Sequence, residues 1–181
     1  MAEIILFFSS PYQNYVCGTI QNLKVGNTEV IAGFIQKFTG ADVFRIEAVQ
    51  EYSKDYNECI DQAQKDQRRD ARPKLKTWPE NMDFYDTVYL GFPNYWGTMP
   101  MPVFALLEKL NLAGKTVCPF CTHEGSGFGN SLNDLHRLCP NAAITQGLSV
   151  VGARVKQSEA VVKDWLKQLN RKGNGTDINT I

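Results

Sequence analysis

The chain has 181 residues, of which 43% are hydrophobic and 21% charged, and its 19 basic residues balance 19 acidic ones. That length suits one domain with a full core, and zero net charge argues against nucleic acid as a partner. No apolar run approaches the roughly 20 residues that cross a bilayer, so neither a membrane span nor a secretory leader is expected. Five thinly spread cysteines, an odd number, fit free thiols in a reducing cytoplasm.

Residues 4–8, Ile-Ile-Leu-Phe-Phe, are continuously apolar and predict a first strand buried on both faces. Ser9, Ser10 and Pro11 end it. Residues 10–25 show no clear periodicity and contain Pro11, Asn14, Gly18 and Asn22, so a loop is expected. Gly26, Asn27 and Thr28 open a helix whose apolar positions Val30, Ile31, Phe34, Ile35 and Phe38 share one face, and Gly40 is placed to stop it.

Residues 42–46 read as the second strand. The connection over 47–85 contains a polar helix, about 54–71, and the breakers Pro73 and Pro79. The third strand is 87–90 and the fourth 115–120. Between them, Val103, Phe104, Leu106, Leu107 and Leu110 mark an amphipathic helix. Ser131 is expected to cap a further helix, with Asp134 as its capping-box partner. Residues 148–151 form the fifth strand, Ser158 caps a last helix, and 171–181 form a polar, loose tail. Strands alternating with helices predict a single α/β domain over 1–170. It would be a three-layer, doubly wound, five-stranded parallel sheet.

In such a sheet, ligands bind at the carboxyl ends of the strands, and three unusual loops fall at that edge. The first, 9–28, ends in Gly-Asn-Thr at a helix start, where backbone N–H groups and the helix dipole suit a phosphate. The second, 91–100, sets Tyr95 and Trp96 among prolines and glycines and suits a flat, partly apolar ligand. The third, 122–129, carries Gly125, Gly127 and Gly129, so its backbone can approach a ligand closely.

On these segments the chain resembles the flavodoxin-like FMN-binding family, over about residues 2–170. The family's phosphate loop runs from a first Ser or Thr to Thr-Gly-Asn-Thr, matched here by Ser9, Gly26, Asn27 and Thr28. Its Pro-x-x-Trp-Gly loop is matched by Pro93, Asn94, Tyr95, Trp96 and Gly97. Its Thr-x-Gly-Ser-Gly segment is similar to Thr122-His123-Glu124-Gly125-Ser126-Gly127. The resemblance implies strand order 2-1-3-4-5 with FMN at the switch point. It also implies phosphate contacts from Ser9, Gly26, Asn27 and Thr28, and a flavin ring flanked by Tyr95 and Trp96. Backbone at Asn94, Trp96 and Gly97 would meet the ring's polar edge, and 122–129 its pyrimidine side. One departure stands out: 10–25 are inserted between Ser9 and Gly26, and Lys24-Val25 stands where the family has x-Thr. Lys24, Ser10 and Thr19 are the candidates to replace that hydroxyl, while Tyr12 and Tyr15 are candidates to cover the flavin or a substrate pocket.

The implied function is an FMN-dependent redox protein, monomer or homodimer, carrying electrons to or from a protein or small-molecule partner. The alternatives are an NAD(P)H- or quinone-linked flavin reductase and a flavodoxin-fold binding module without FMN. No catalytic nucleophile, base or metal is required. Cys118-Pro119-Phe120-Cys121 resembles a redox pair, but residues three apart in a strand lie about 10 Å apart on opposite faces. That exceeds the ~7 Å that a disulfide spans. The cationic run Lys65, Arg68, Arg69, Arg72, Lys74, Lys76, interrupted by Asp66 and Asp70, reads as a solvated helix face, with an NADPH phosphate contact as the alternative.

Overall fold

The computed structural model of the chain describes residues 2–173. The central sheet is parallel, in the order β4 (Asp42–Arg45), β1 (Glu3–Phe7), β5 (Thr87–Pro93), β6 (Thr116–His123), and then β7 (Ala143–Ile144) with β8 (Leu148–Val151). Both β7 and β8 pair with β6: Thr116 meets Ala143, and Phe120 meets Leu148. They share the fifth position of the sheet, interrupted at Thr145-Gln146-Gly147. The expected order 2-1-3-4-5 is therefore observed, with its last strand in two pieces.

Side-chain alternation builds two cores. Ile4, Leu6 and Phe8 face one side, with Val88, Leu90 and Phe92 of β5, and pack against α3 (Met101–Leu107) and α4 (Ser131–Leu138). Ile5 and Phe7 face the other side, with Tyr89, Cys118 and Phe120, and pack against α1 (Asn27–Thr39) and α5 (Glu159–Gly173). A strand that is apolar on both faces is stable only in the middle of such a sandwich. Cys118 and Cys121 belong to opposite cores, and all five cysteines are free.

The strands reach further than their apolar runs suggest. β5 continues through Gly91 and Phe92 to Pro93, because Gly91 leaves room for a neighbour's ring: a Cβ there would lie 2.1 Å from Phe120 Cζ. β6 runs on to His123, so both strands deliver their ends directly into the functional edge.

The expected loop at 10–25 is instead an antiparallel hairpin, β2 (Tyr12–Val16) and β3 (Thr19–Leu23), separate from the main sheet. Its turn residues Cys17 and Gly18 both have positive φ, 52° and 82°, as a tight two-residue hairpin turn requires. The polar helix α2 (Tyr56–Arg68) is capped by Asp55, whose carboxylate accepts from Glu58 N–H at 3.0 Å. The capping box expected at Ser131 does not form. Asn130 holds the cap position and Ser131 is the first helical residue, its hydroxyl buried without a partner. Asp134 instead accepts from Thr98 Oγ1 at 2.6 Å and Asn130 Nδ2 at 3.2 Å, which fastens α4 to the loop after β5. Of the expected loose tail, 174–181 lie outside the described residues.

Candidate functional site

The carboxyl ends of β1, β5 and β6 enclose a cavity of about 300 Å³, at the small end of the range for small-molecule sites. Of the fifteen residues matched to the family's loops, eleven line it: Ser9, Asn27, Thr28, Pro93, Asn94, Tyr95, Trp96, Thr122, His123, Glu124 and Ser126. Gly26, Gly97, Gly125 and Gly127 do not line it and act by shaping the loops behind it.

At the first corner, β1 meets the start of α1. Ser9 is buried, and its Oγ accepts from the Glu29 N–H at 3.1 Å. The serine thus caps α1 from a distance in sequence, doing what the extended N-cap residue Gly26 cannot. Gly26 is required for this approach, since a Cβ there would sit 2.2 Å from Ser9 Oγ and 2.8 Å from the Ser10 carbonyl. The N–H groups of Asn27 and Thr28 belong to the first turn, which has no helical acceptors, so they remain for a ligand. The Thr28 hydroxyl is committed to Thr122 Oγ1 at 2.8 Å, joining helix to strand in a buried bond. Arg45, whose role was not legible in sequence, bonds Glu29 at 2.5 Å and the Ser9 carbonyl at 3.2 Å from behind. Of the three candidates for the missing hydroxyl, Ser10 alone lines the cavity; Thr19 bonds the Val16 carbonyl within the hairpin.

At the second corner, Tyr95 and Thr98 exchange backbone hydrogen bonds of 2.8 and 3.2 Å around Trp96 and Gly97. Both turn residues have positive φ, 53° and 84°. Gly97 adopts this freely, whereas a non-glycine residue held there costs on the order of 1 kcal/mol or more. Three bonds hold it: Gly97 N–H to Asn94 Oδ1 at 2.9 Å, Gln67 Nε2 to the Trp96 carbonyl at 3.0 Å, and the Trp96 indole N–H to the Ile60 carbonyl at 2.8 Å. Trp96 remains 47% exposed, an aromatic fixed at its edge with surface to offer. Tyr95 differs from it. Its ring packs edge-on to Phe8 at 5.9 Å and beside Tyr52 at 6.2 Å, and its hydroxyl lies 3.9 Å from Cys59 Sγ. Burial, reinforced by that thiol, keeps the phenol protonated well above its usual range. Tyr95 is the floor of the cavity and Trp96 its open wall.

The third corner continues from β6. Asn94 Nδ2 donates to the Gly127 carbonyl at 2.8 Å, tying this loop to the second. His123 Nδ1 accepts the Gly125 N–H at 2.9 Å, so the neutral ring carries its proton on Nε2. Burial lowers its pKa, with Glu124 acting in the opposite sense. Glu124 leans toward the α1 corner, its Oε2 accepting the Cys17 N–H at 3.2 Å.

A fourth wall was foreseen from sequence only in Tyr15, a candidate to cover the pocket. The hairpin supplies Gln13, Asn14 and Tyr15, and α2 supplies Tyr56, Cys59, Ile60 and Ala63. Tyr15 and Tyr56 stack at 6.1 Å, and Gln13 is bonded to the start of α2 through its N–H to the Lys54 carbonyl and its Oε1 from the Tyr56 N–H. Tyr12 points elsewhere, under Lys54. The signal was available in the Cys17-Gly18 turn dipeptide and in the apolar stripe Cys59, Ile60, Ala63 of an otherwise polar helix. Among the described residues, no Lys or Arg lines the cavity. In the cationic run, Lys65, Arg69, Arg72 and Lys76 are paired with neighbouring carboxylates.

A family model described as flavodoxin matches residues 20–169 of the chain. Among solved structures, a protein assigned as a flavoprotein from Bacteroides eggerthii is 26% identical, with a TM-score of 0.74 over 92% of this chain and 96% of that one. A flavoprotein in complex with FMN from Lactobacillus acidophilus shares the fold at 15% identity, TM-score 0.63, over 86% of this chain and 97% of that one. Oxidised flavodoxin 2 from Bacillus cereus does so at 18% identity, TM-score 0.53, over 92% and 99%. No curated protein sequence matches the chain.

Proposed function

Because the chain belongs to the flavodoxin family, we propose that it binds FMN in the cavity between β1, β5 and β6 and acts as a redox flavoprotein. The observation that carries this reading is the cavity's polarity. An α-helix start with a capping serine stands at one corner, and a pinned, half-exposed tryptophan stands at another. The first suits a phosphate held by backbone N–H groups and hydroxyls without a cation. The second suits an aromatic ring system.

In this reading Ser9, Asn27 and Thr28 hold the phosphate, with Gly26 permitting the approach and Ser10 taking the place of the family's missing hydroxyl. Trp96 stacks on the ring, and Tyr95 supports it from below. Pro93, Asn94 and the Trp96–Gly97 turn present backbone groups to its polar edge. Thr122, Glu124, Gly125, Ser126 and Gly127 close the remaining side. When bound, FMN supplies the electron-transfer chemistry; the protein binds it, orients it and restricts water.

The hairpin wall favours a small-molecule oxidoreductase, linked to NAD(P)H or a quinone, over a carrier that docks on a protein. Tyr15, stacked on Tyr56, covers one side of the cavity and offers aromatic surface to a small molecule there. The test is FMN affinity of Trp96→Ala, followed by flavin fluorescence, with circular dichroism confirming the fold. A loss of tenfold or more supports the stacking role, and unchanged affinity contradicts it.

A further inference from the structure

Among the described residues that line the cavity, one carboxylate opposes the ligand proposed for it. Glu124 lies at the end of β6, and its Oε2 accepts from the backbone N–H of Cys17, at the tip of the hairpin, at 3.2 Å. Its Oε1 reaches past Gly152: a side chain beginning there would meet Oε1 at 2.1 Å and the Asn27 Nδ2 at 2.7 Å. The carboxylate therefore stands beside the first residue of α1, close to the corner where a phosphate would be held. Among the described residues no cation lines the cavity to offset it, and Arg45, behind Ser9, is committed to Glu29 and to the Ser9 carbonyl.

We propose that Glu124 is a selectivity residue. Its carboxylate draws the hairpin down over the phosphate corner and at the same time lowers the affinity of that corner for a phosphate dianion. The site accordingly discriminates only weakly between a phosphorylated flavin and the same flavin without its phosphate. The inference rests on the flavin-binding reading, but its physical core concerns only the charge of Glu124 and an anion.

The two are separated by two substitutions and two kinds of probe. Glu124→Gln keeps an acceptor oxygen for the Cys17 N–H and removes the charge, whereas Glu124→Ala removes both. Dissociation constants for FMN and riboflavin are measured by flavin fluorescence. The response of the unfolding temperature to inorganic phosphate is measured separately. Glu124→Gln is expected to tighten FMN about tenfold, the size expected from removing a like charge near the surface, and to leave riboflavin within about twofold. Inorganic phosphate then stabilises Glu124→Gln more than the unsubstituted chain. Glu124→Ala, lacking the tether, binds both flavins less tightly than Glu124→Gln. An unchanged ratio of FMN to riboflavin affinity, or weaker FMN binding by Glu124→Gln, overturns the proposal. If none of these proteins binds either flavin, the FMN reading fails and the phosphate response decides alone: a larger response in Glu124→Gln upholds the role of the charge, and equal responses refute it.

Discussion

Replacing Ser9 by alanine separates two functions of one hydroxyl. In the ligand-free protein, Ser9 Oγ accepts the Glu29 N–H at 3.1 Å and caps α1. Loss of a helix cap costs about 1 kcal/mol, and the buried setting of Ser9 leaves the orphaned N–H little water, moving the cost toward the upper part of the ~1–3 kcal/mol range. For a chain of this length, each kcal/mol lowers the melting temperature by roughly 2–4 °C. Ser9→Ala should therefore melt about 4–12 °C lower without ligand, read by calorimetry. The hydroxyl proton is not used in capping and is free to donate to a phosphate. A hydrogen bond to a charged group contributes about 1.5–3 kcal/mol, so FMN affinity should fall tenfold or more while riboflavin affinity is little changed. An unchanged melting temperature would refute the capping assignment. Equal weakening of FMN and riboflavin would refute the phosphate assignment.

Gly91→Ala drives a methyl group into the Phe120 ring, 2.1 Å from Cζ; overpacking of this kind costs about 1–3 kcal/mol, and an unshifted urea midpoint would contradict the packing described. Titration of native protein with a thiol reagent at pH 8, without reductant, should show one fast thiol, Cys17, and four that react only after unfolding. Burial pushes Cys118 up to about 11, Cys121 to about 12 and Cys139 to about 11; fewer than five thiols in denaturant would restore the disulfide reading of Cys118 and Cys121. His123 should titrate below the ordinary histidine value of ~6.5, because burial disfavours its charged form. The unfolded chain then binds the proton first as pH falls, so stability present above that value is lost below it. His123→Gln should flatten the loss, and a resonance assigned to His123 that titrates at or above the ordinary value would contradict it.

What was legible in the sequence follows from where the burial lies. Residues 4–8 and 87–90 are apolar on both faces, and only a central parallel strand explains that. The helix with Val30, Ile31, Phe34 and Ile35 on one face, ending at Gly40, is likewise as expected. The hairpin was missed because a two-stranded ribbon lying outside the sheet has no buried face to print an alternation. Its residues are mostly exposed, and Val16 alone is buried. The Ser131 cap failed because the tertiary bond from Thr98 claims Asp134. Local motifs decide a cap only when no neighbouring element competes for the side chain.

The site shows the same division. Its three loops were visible because prolines, glycines and adjacent aromatics are unusual at strand ends. Its fourth wall was visible only in Tyr15, because Tyr56, Cys59 and Ile60 sit on a helix whose other faces are polar. The division of labour between Tyr95 and Trp96 also required the structure. Adjacent residues in a tight turn point in different directions, and the buried cluster of Phe8 and Tyr52 takes Tyr95 inward.

The most direct test of flavin binding is the absorbance spectrum of the purified protein, mixed with excess FMN and then freed of unbound flavin by gel filtration under low salt. Flavin bands retained at close to one equivalent, and lost in Trp96→Ala with its circular dichroism unchanged, are the predicted result. A folded protein that stays colourless at concentrations well above micromolar, for both FMN and riboflavin, would contradict the account.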